Sequence, residues 1–267
     1  MNENNYNYLK DQVKYTGFGD ALEADLKQNI EQKKETFTLN HDAFYGDDRV
    51  SATLNFKKSD QSDMYFFNSY DVRLEKEGRP ETLDQTFYIN KGSNITLKEA
   101  YNLMEGRSVN KDLTSKEGQE YNAWVQLDFK DSDSNGNFRL NHYHENYGYN
   151  LEAALSKYPL KELQNESHKQ DLINSLKKGN LQSVTFIKDG KEVKNYIEAN
   201  PQFKSITFYD SSKNRLDSSQ SKVEKESQLQ GRSEKAKQST AAKNSDAEND
   251  APGDDAPKKQ RRKSQKM

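Results

Sequence analysis

The sequence contains no cysteine, and this absence excludes several classes of protein at once. A chain without thiols forms no disulfide framework, binds no zinc through thiolates and uses no cysteine nucleophile. The chain also lacks any run of about 18 apolar residues, the length needed to span a bilayer. Its first residues, MNENNYNYLKDQ, have neither the basic region nor the apolar region of a secretory signal. The expected location is therefore the cytoplasm.

Aromatic and aliphatic side chains are nearly missing from the C-terminal part of the chain. All 15 tyrosines, all 12 phenylalanines and the single tryptophan lie at or before Tyr209. From Asp217 to Met267 the apolar side chains are alanines, Val223, Leu229 and Met267. Such a segment buries too little apolar surface to offset the entropy lost on folding. We therefore predict a disordered C-terminal tail at 217–267 and a folded core within 1–216.

Charge also divides at this boundary. Residues 217–267 hold three more Lys and Arg than Asp and Glu, whereas the whole chain has a net charge of −2, so residues 1–216 are acidic. An acidic core argues against one broad phosphate-binding face. The tail ends in a basic run whose cationic residues are Lys258, Lys259, Arg261, Arg262, Lys263 and Lys266. Such a run binds polyanions without reading their sequence. The alternative is a solubilising tail, in which the acidic stretch 246–255 pairs with the basic run.

Hydrophobic patterns predict an α+β fold with mainly antiparallel sheets and packed helices. From Val50 to Phe56 apolar and polar residues alternate, which is typical of a half-buried strand. Thr96 and Glu99 form the signature of a capping box and predict that a helix begins there. A polar loop is expected at 107–119, before the strands predicted at 122–129 and 137–144.

A helix followed by three strands is predicted twice, which indicates an internal duplication. In a gapless alignment of the last strands, Met64 aligns with Ile206, Phe66 with Phe208, and Arg73 with Arg215. The alternative is that two unrelated segments share generic amphipathic spacing. The predicted division is a first repeat with its helical lead-in at 1–74, a central β-α-ββ-α segment at 75–160, a second repeat at 161–216 and the tail at 217–267.

The stretch DSDSNG at 131–136 matches the opening of a calcium-binding loop. The twelfth position of that loop is His142, which cannot act as a bidentate oxygen ligand. Asn-Gly between two alternating runs predicts a hairpin turn instead. His142 and His144 lie on the same face of the predicted strand and are the candidate ligands for zinc or iron. Because Glu145 points to the opposite face, a third ligand is lacking. We therefore expect no metal and no cofactor, and a metal-dependent enzyme stays a remote alternative.

The strand MYFFNSYDVRL, 64–74, carries large rings on both faces. One face packs on a core, and the other face would either stack bases, as single-strand binders do, or be covered by helices or by the second repeat. No nucleophile elbow, Walker loop or dinucleotide fingerprint occurs in the sequence. The chain is therefore expected not to be an enzyme.

Four runs carry a family resemblance: TFYINKGSNITLKEAYNLMEGRSVNKDL at 86–113, YNAWVQLDF, HENYGY and IEANPQFKSI. They resemble an uncharacterised protein family of Bacteroides-type bacteria, often found in long multidomain proteins of conjugative transposons. The resemblance covers most of residues 8–216. Some members of that family carry the module beside topoisomerase-like or primase-like regions. The resemblance assigns no catalytic residue, but it implies a role in DNA handling or transfer of a mobile element, in a bacterial cytoplasm.

Two functions follow as expectations. The first is a non-enzymatic accessory protein of a mobile element, which associates with DNA or a nucleoprotein complex through the basic tail. The second is a protein–protein interaction module, whose aromatic strands or hairpin 122–144 bind a partner while the tail only solubilises the chain. The second differs from the first because it predicts no salt-dependent binding to DNA.

Overall fold

Helices and antiparallel strands alternate along the chain in a computed structural model, which describes residues 2–90, 94–115, 117–188 and 190–216. The helices are α1 (Glu3–Val13), α2 (Glu23–Glu31), α3 (Leu97–Met104), α4 (Leu151–Leu155) and α5 (Glu166–Lys177). The strands are β1 (Thr36–Tyr45), β2 (Asp48–Lys58), β3 (Tyr65–Glu75), β4 (Thr82–Tyr88), β5 (Val109–Thr114), β6 (Glu120–Ser132), β7 (Phe138–His144), β8 (Gln182–Lys188), β9 (Lys191–Asn200) and β10 (Ser205–Tyr209). A π-helical turn occupies Lys14–Phe18, and short 3₁₀ helices occupy Glu145–Tyr147 and Lys161–Gln164. These elements confirm the predicted α+β class.

The strands form three separate antiparallel sheets, each with its strands in chain order. The first sheet has the order β1-β2-β3-β4, the second β5-β6-β7 and the third β8-β9-β10. Because every strand pairs with its neighbour along the chain, each sheet is a simple meander joined by short turns.

A helix followed by three antiparallel strands occurs three times within the described residues, and in the first case a fourth strand, β4, extends the sheet. The units are α2 with β1–β3, α3 with β5–β7, and α5 with β8–β10. The sequence predicted the first and the last of these. The middle unit was overlooked because residues 107–119 were expected to form a polar loop, whereas strand β5 occupies Val109–Thr114. That expectation was wrong.

Strand β5 is stable despite its polar composition because its polar side chains find partners across the sheet. The side-chain amides of Asn110 and Asn122 bond each other at 2.7 and 3.1 Å. The Lys111 ammonium lies 3.0 Å from the Glu99 carboxylate at the start of α3. Val109 is fully buried at the beginning of the strand. The strand therefore depends on contacts with α3 and β6, which its own sequence does not reveal.

Strand β4 belongs to the first sheet, although the sequence division placed it in the central segment. It pairs with β3 from Ser69 opposite Tyr88 to Glu75 opposite Thr82. Its outer edge meets the hairpin of β6 and β7. There the Gln85 side chain both donates to and accepts from the backbone of Phe138, at 3.3 and 2.9 Å. The first and second sheets are thus joined by hydrogen bonds at this edge.

Two hydrophobic clusters form the core. The larger lies between the first sheet and helices α1, α2 and α3, and it extends to Val109 and Val125 of the second sheet. The smaller lies between the third sheet and helices α4 and α5, and it includes Trp124. The only tryptophan, on β6, thus packs a side chain of the second sheet into the smaller cluster. All described residues fall within one compact unit.

Most rings of β3 point into the larger cluster. Phe67 stacks on Phe56, and Phe56 stacks on Phe37, with ring centroids 4.9 and 4.8 Å apart. Tyr65 and Tyr70 are also buried, so that Phe66 is the one ring of β3 on the solvent-facing side. The aromatic strand is therefore a core element. Large rings were expected on both of its faces, but only Phe66 lies on the solvent-facing one.

The predicted disordered tail, residues 217–267, lies outside the described residues. Across the described ranges, no helix combines the length and apolarity that a membrane crossing requires.

Candidate functional site

A cleft of about 860 Å³ is lined by parts of the first and third sheets and by helix α3. Its walls come from the turn between β1 and β2, from α3 and the loop after it, from the loop before β8, and from strands β9 and β10. We call it the Tyr101 cleft and define it by the following residues: Tyr45, Lys98, Tyr101, Arg107, Glu198 and Lys213.

Two tyrosine rings and a lysine amine form one wall of the Tyr101 cleft. Lys98 and Tyr101 are three residues apart on α3 and therefore share one face of the helix. The rings of Tyr45 and Tyr101 lie with their centroids 4.6 Å apart. The Lys98 amine sits 3.9 Å from the Tyr45 centroid and 4.4 Å from the Tyr101 centroid, which is cation–π distance. The Tyr101 hydroxyl donates to Asp48 at 2.9 Å and fixes the ring.

The surroundings of Lys98 and Tyr101 shift the pKa of each group. Loss of solvation lowers the pKa of Lys98 to about 8, and repulsion from Arg107 adds to this shift. The faces of the two tyrosine rings attract the charged amine and act against the shift. Burial raises the pKa of Tyr101, and its hydrogen bond to Asp48 adds to that rise. Lys98 is therefore the group in this wall that titrates nearest to neutral pH.

Arg107 connects the Tyr101 cleft to the joint between the middle and last units. Its guanidinium carbon lies 5.2 Å from the Tyr101 ring centroid. Its Nε donates to the carbonyl of Gly179 at 2.9 Å, and an Nη donates to the Asn102 side chain at 2.8 Å. Asn102 is fully buried and in turn donates to the Lys178 carbonyl at 2.6 Å. The carbonyls of Lys178 and Gly179, at the end of α5, have no hydrogen-bond partner within that helix. Side chains of the middle unit donate to them instead.

The opposite wall contains a hydrogen-bonded carboxylate and phenol. Glu198 lies on β9 opposite Thr207 of β10, and Tyr209 lies two residues further along β10. Burial raises the pKa of Glu198, whereas its hydrogen bonds with Tyr209 and Thr207 act in the other direction. Burial also raises the pKa of Tyr209, and the neighbouring Glu198 adds to this rise.

The Tyr101 cleft is lined by charges of both signs, three basic and four acidic side chains, of which Glu105 and Arg107 pair with each other. Glu105 forms ion pairs with Lys76 and, at 3.6 Å, with Arg107. Lys98 and Lys213 line the cleft, and neither amine forms an ion pair within the described ranges. A ligand with a carboxylate would therefore find amines and tyrosine faces there. Asp47, in the β1–β2 turn, also lines the cleft and is exposed to solvent.

His142 and His144, the predicted candidates for metal binding, lie side by side on β7 with ring centroids 6.1 Å apart. Desolvation lowers the pKa of His142, and His144 lowers it further. His144 also contacts the Tyr121 ring at 5.0 Å. No group of three or more His, Asp or Glu side chains in the described ranges is placed to hold a metal ion. Glu145 begins a 3₁₀ helix, so that it leaves the strand that carries the histidines.

Strands β6 and β7 are joined by a hairpin turn, as predicted, but Asn135 does not share the positive φ of Gly136 that a two-residue Asn-Gly turn requires. The Gly136 amide donates to the Asp133 carbonyl at 3.1 Å, and Gly136 has a φ of +85°. The Asp133 carboxylate accepts from the amides of Asn135 and Asn137 at 2.8 and 3.0 Å. These bonds lower the pKa of Asp133, and they occupy one of its carboxylate oxygens within the turn.

The solvent-facing side of the aromatic strand β3, which was considered for base stacking, lies on a largely polar surface. On the solvent-facing side of the first sheet, Asp71 bonds Asn55 and Thr86, and Asp84 bonds Arg73. Because its acidic groups are hydrogen-bonded to polar neighbours and few rings face outward, this side offers little to a phosphate backbone. The basic run at Lys258, Lys259, Arg261, Arg262, Lys263 and Lys266 lies outside the described residues.

The residues of the Tyr101 cleft were not recognised from the sequence. The capping box at Thr96 and Glu99 was predicted, and both of its hydrogen bonds are present. Tyr101, however, is indistinguishable in the sequence from the apolar residues of α3, and Lys98 carries no functional signal of its own. The available signal was the three-residue spacing of Lys98 and Tyr101, which is too common to be specific.

No family model matches the chain, and no curated protein and no solved structure matches it either. The fold and site define an α+β protein with an aromatic cleft lined by both basic and acidic side chains. The resemblance to a mobile-element family stays a prediction.

Proposed function

We propose that this chain is a non-enzymatic binding protein whose Tyr101 cleft holds a carboxylate-bearing segment of a partner protein. The observation that carries the proposal is the pair of amines, Lys98 and Lys213, which face the cleft beside tyrosine rings and form no ion pair within the described residues. Tyrosine and arginine are enriched where protein interfaces are strongest, because they combine large contact area with hydrogen bonding. Arg107 and Tyr101 are also held in place before binding, which lowers the entropy lost on association.

Proton linkage supplies a signature of this binding mode. A carboxylate next to Lys98 favours its charged form, whereas the free protein holds the pKa of Lys98 at about 8. Binding therefore takes up a proton near pH 8, and affinity falls as the pH rises from 7 to 9. Lys98→Arg keeps the charge throughout this range and removes most of the pH dependence.

The test is site-specific photo-cross-linking in the native host. A photoreactive residue replaces Asp47, which is exposed at the cleft and leaves both amines in place, or Tyr88, which is exposed on the far side of the first sheet. We expect one discrete adduct with another protein from position 47 and none from position 88. Lys98→Glu should remove the adduct, while Lys27→Glu, an exposed change on α2, should leave it. Equal adducts from both positions, or loss of the adduct with Lys27→Glu, would contradict the proposal.

A second candidate function is association with nucleic acid through the basic tail, within the DNA-handling machinery of a mobile element. It rests on the charge of residues 258–266 and on the family resemblance. Neutralising about six phosphates predicts a log–log salt slope near −5 on duplex DNA. Fluorescence anisotropy across a salt series should show that slope for the full chain. A variant with all six cationic residues of the run changed to glutamine should lose it. An unchanged slope in that variant would exclude the tail as the contact.

A further inference from the structure

Strand β1 leaves one long edge without a hydrogen-bonding partner. A two-residue turn, Gly46–Asp47, joins β1 to β2, so that Tyr45 pairs with Asp48 and the odd-numbered residues of β1 bond to β2. The even-numbered residues therefore direct their backbone N–H and C=O groups away from the sheet. These residues are Thr36, Thr38, Asn40, Asp42 and Phe44. Within the described residues none of these backbone groups makes a hydrogen bond, and all five side chains are exposed.

Three other sheet edges, those of β4, β8 and β10, make hydrogen bonds within the chain. The edge of β4 meets the backbone of Phe138. At the edge of β8, the Ile187 amide donates to the Pro159 carbonyl at 3.0 Å. At the edge of β10, the Leu216 amide donates to the Phe208 carbonyl at 2.9 Å. Proteins protect exposed edges with proline, lysine or a bulge, and β1 contains none of these over its 10 residues.

We propose that β1 pairs with β1 of a second copy of this chain, antiparallel, across a twofold axis at Asn40. In this register all five outward residues of each strand face an outward residue of the other. Each such pair exchanges two backbone hydrogen bonds. An axis at His41 leaves only four such pairs, and an axis at Asp42 leaves only three. The register at Asn40 therefore satisfies the largest number of open backbone groups, and it joins two first sheets into one continuous sheet.

Side chains along β1 also favour this register. On the solvent-facing side, Asn40 lies opposite Asn40 of the second copy, and Thr38 lies opposite Asp42 of the second copy. An axis at Asp42 would instead place two carboxylates directly opposite each other, which is destabilising. On the other side, Leu39 lies opposite His41 and Phe37 opposite Ala43, so that partly buried side chains gain cover. The proposed register uses residues 36–44 of β1, of which Phe44 also lines the Tyr101 cleft, and it does not depend on a ligand in that cleft.

The absence of cysteine permits a direct test on the full chain. In the proposed dimer the two copies of Asn40→Cys lie on adjacent strands, whose Cα atoms are about 5.5 Å apart, and a short bismaleimide should join them. Asn68→Cys is the matched control, since it is exposed on β3 of the same sheet. Its two copies would be five strand spacings apart, about 24 Å, and should not be joined. Cross-linking at 68 and not at 40 would overturn the proposal.

Sedimentation equilibrium tests the same interface without a cross-linker. The unmodified full chain should show a concentration-dependent dimer, twice the 30.8 kDa of one chain. Asn40→Ala keeps the outward N–H and should still form dimers, whereas Asn40→Pro removes that N–H at the axis and should be monomeric. Circular dichroism establishes that both variants fold, and Thr38→Pro replaces Asn40→Pro if that variant does not. A wild-type chain that stays monomeric, or a folded proline variant that still forms dimers, would overturn the proposal.

Discussion

Substituting alanine for Gly179 should disrupt the joint between the last two units. Gly179 has a φ of +76°, a conformation that residues with a Cβ rarely adopt. A Cβ at this position would lie 2.9 Å from a methyl carbon of Val109, 3.0 Å from the Ser108 carbonyl and 3.1 Å from the Asn102 Cβ. Two of these neighbours belong to the backbone or sit next to it, so that they cannot move away without displacing β5 or α3.

The expected loss of stability has two parts. A left-handed backbone at a residue with a Cβ costs about 1–2 kcal/mol. Forcing a methyl group into a closely packed site costs about 1–3 kcal/mol more. Gly136→Ala is the matched control, since Gly136 has a φ of +85° and a Cβ at that position would meet nothing within 4 Å. It should lose only the first part, so that the two variants differ by about 1–3 kcal/mol.

Urea unfolding of the full chain measures both free energies. The fit should hold the m-value common to the wild type and both variants, after checking that it does not change. A Gly179→Ala variant no less stable than Gly136→Ala would refute the reasoning, because it would mean that β5 and α3 yield easily at the joint. A changed m-value would indicate that the units unfold separately.

Three further changes test the elements around the Tyr101 cleft. Thr96→Ala removes the capping box with Glu99 and should reduce the free energy of unfolding in urea by about 0.5–2 kcal/mol. Tyr101→Phe removes a hydrogen bond to the Asp48 carboxylate and should reduce it by about 1.5–3 kcal/mol; an unchanged value would mean that water replaces that bond. Burial lowers the pKa of His41 below its usual 6.5, so that the unfolded chain binds a proton more readily and stability falls as the pH drops below that value. His41→Gln should flatten this fall in urea titrations between pH 7 and pH 5, and an equally steep fall would remove His41 as its source.

Local signals predicted those parts of the fold that depend on neighbours in the sequence. The capping box at Thr96 needs only residues three apart, and the turn at Gly136 needs only a positive φ. The alternation from Val50 to Phe56 is visible because one face of β2 packs on the core while the other meets solvent. Strand β5 was missed because its polar side chains are satisfied by Glu99 and Asn122, which are distant in the sequence.

The Tyr101 cleft could not be predicted from the sequence because its walls come from five separated segments. The rings of Tyr45 and Tyr101 are in contact although 55 residues lie between them, a pairing that only the meeting of two units produces. The histidine pair, by contrast, was visible in the sequence because His142 and His144 are two apart on one strand. Proximity in the sequence was therefore a poor guide to where the chemically perturbed groups of this protein gather.

The joint at Gly179 and the cleft are connected through one side chain. Arg107 donates to the Gly179 carbonyl and also lies against the Tyr101 ring, which in turn contacts the Lys98 amine. A shift of the α5 end therefore moves Arg107, and with it the charge that helps to lower the pKa of Lys98. It follows that Gly179→Ala should weaken partner binding as well as stability, although Gly179 does not line the cleft. Gly136→Ala leaves Arg107 in place and should leave binding unchanged, because the hairpin turn that it alters contacts neither the joint nor the cleft.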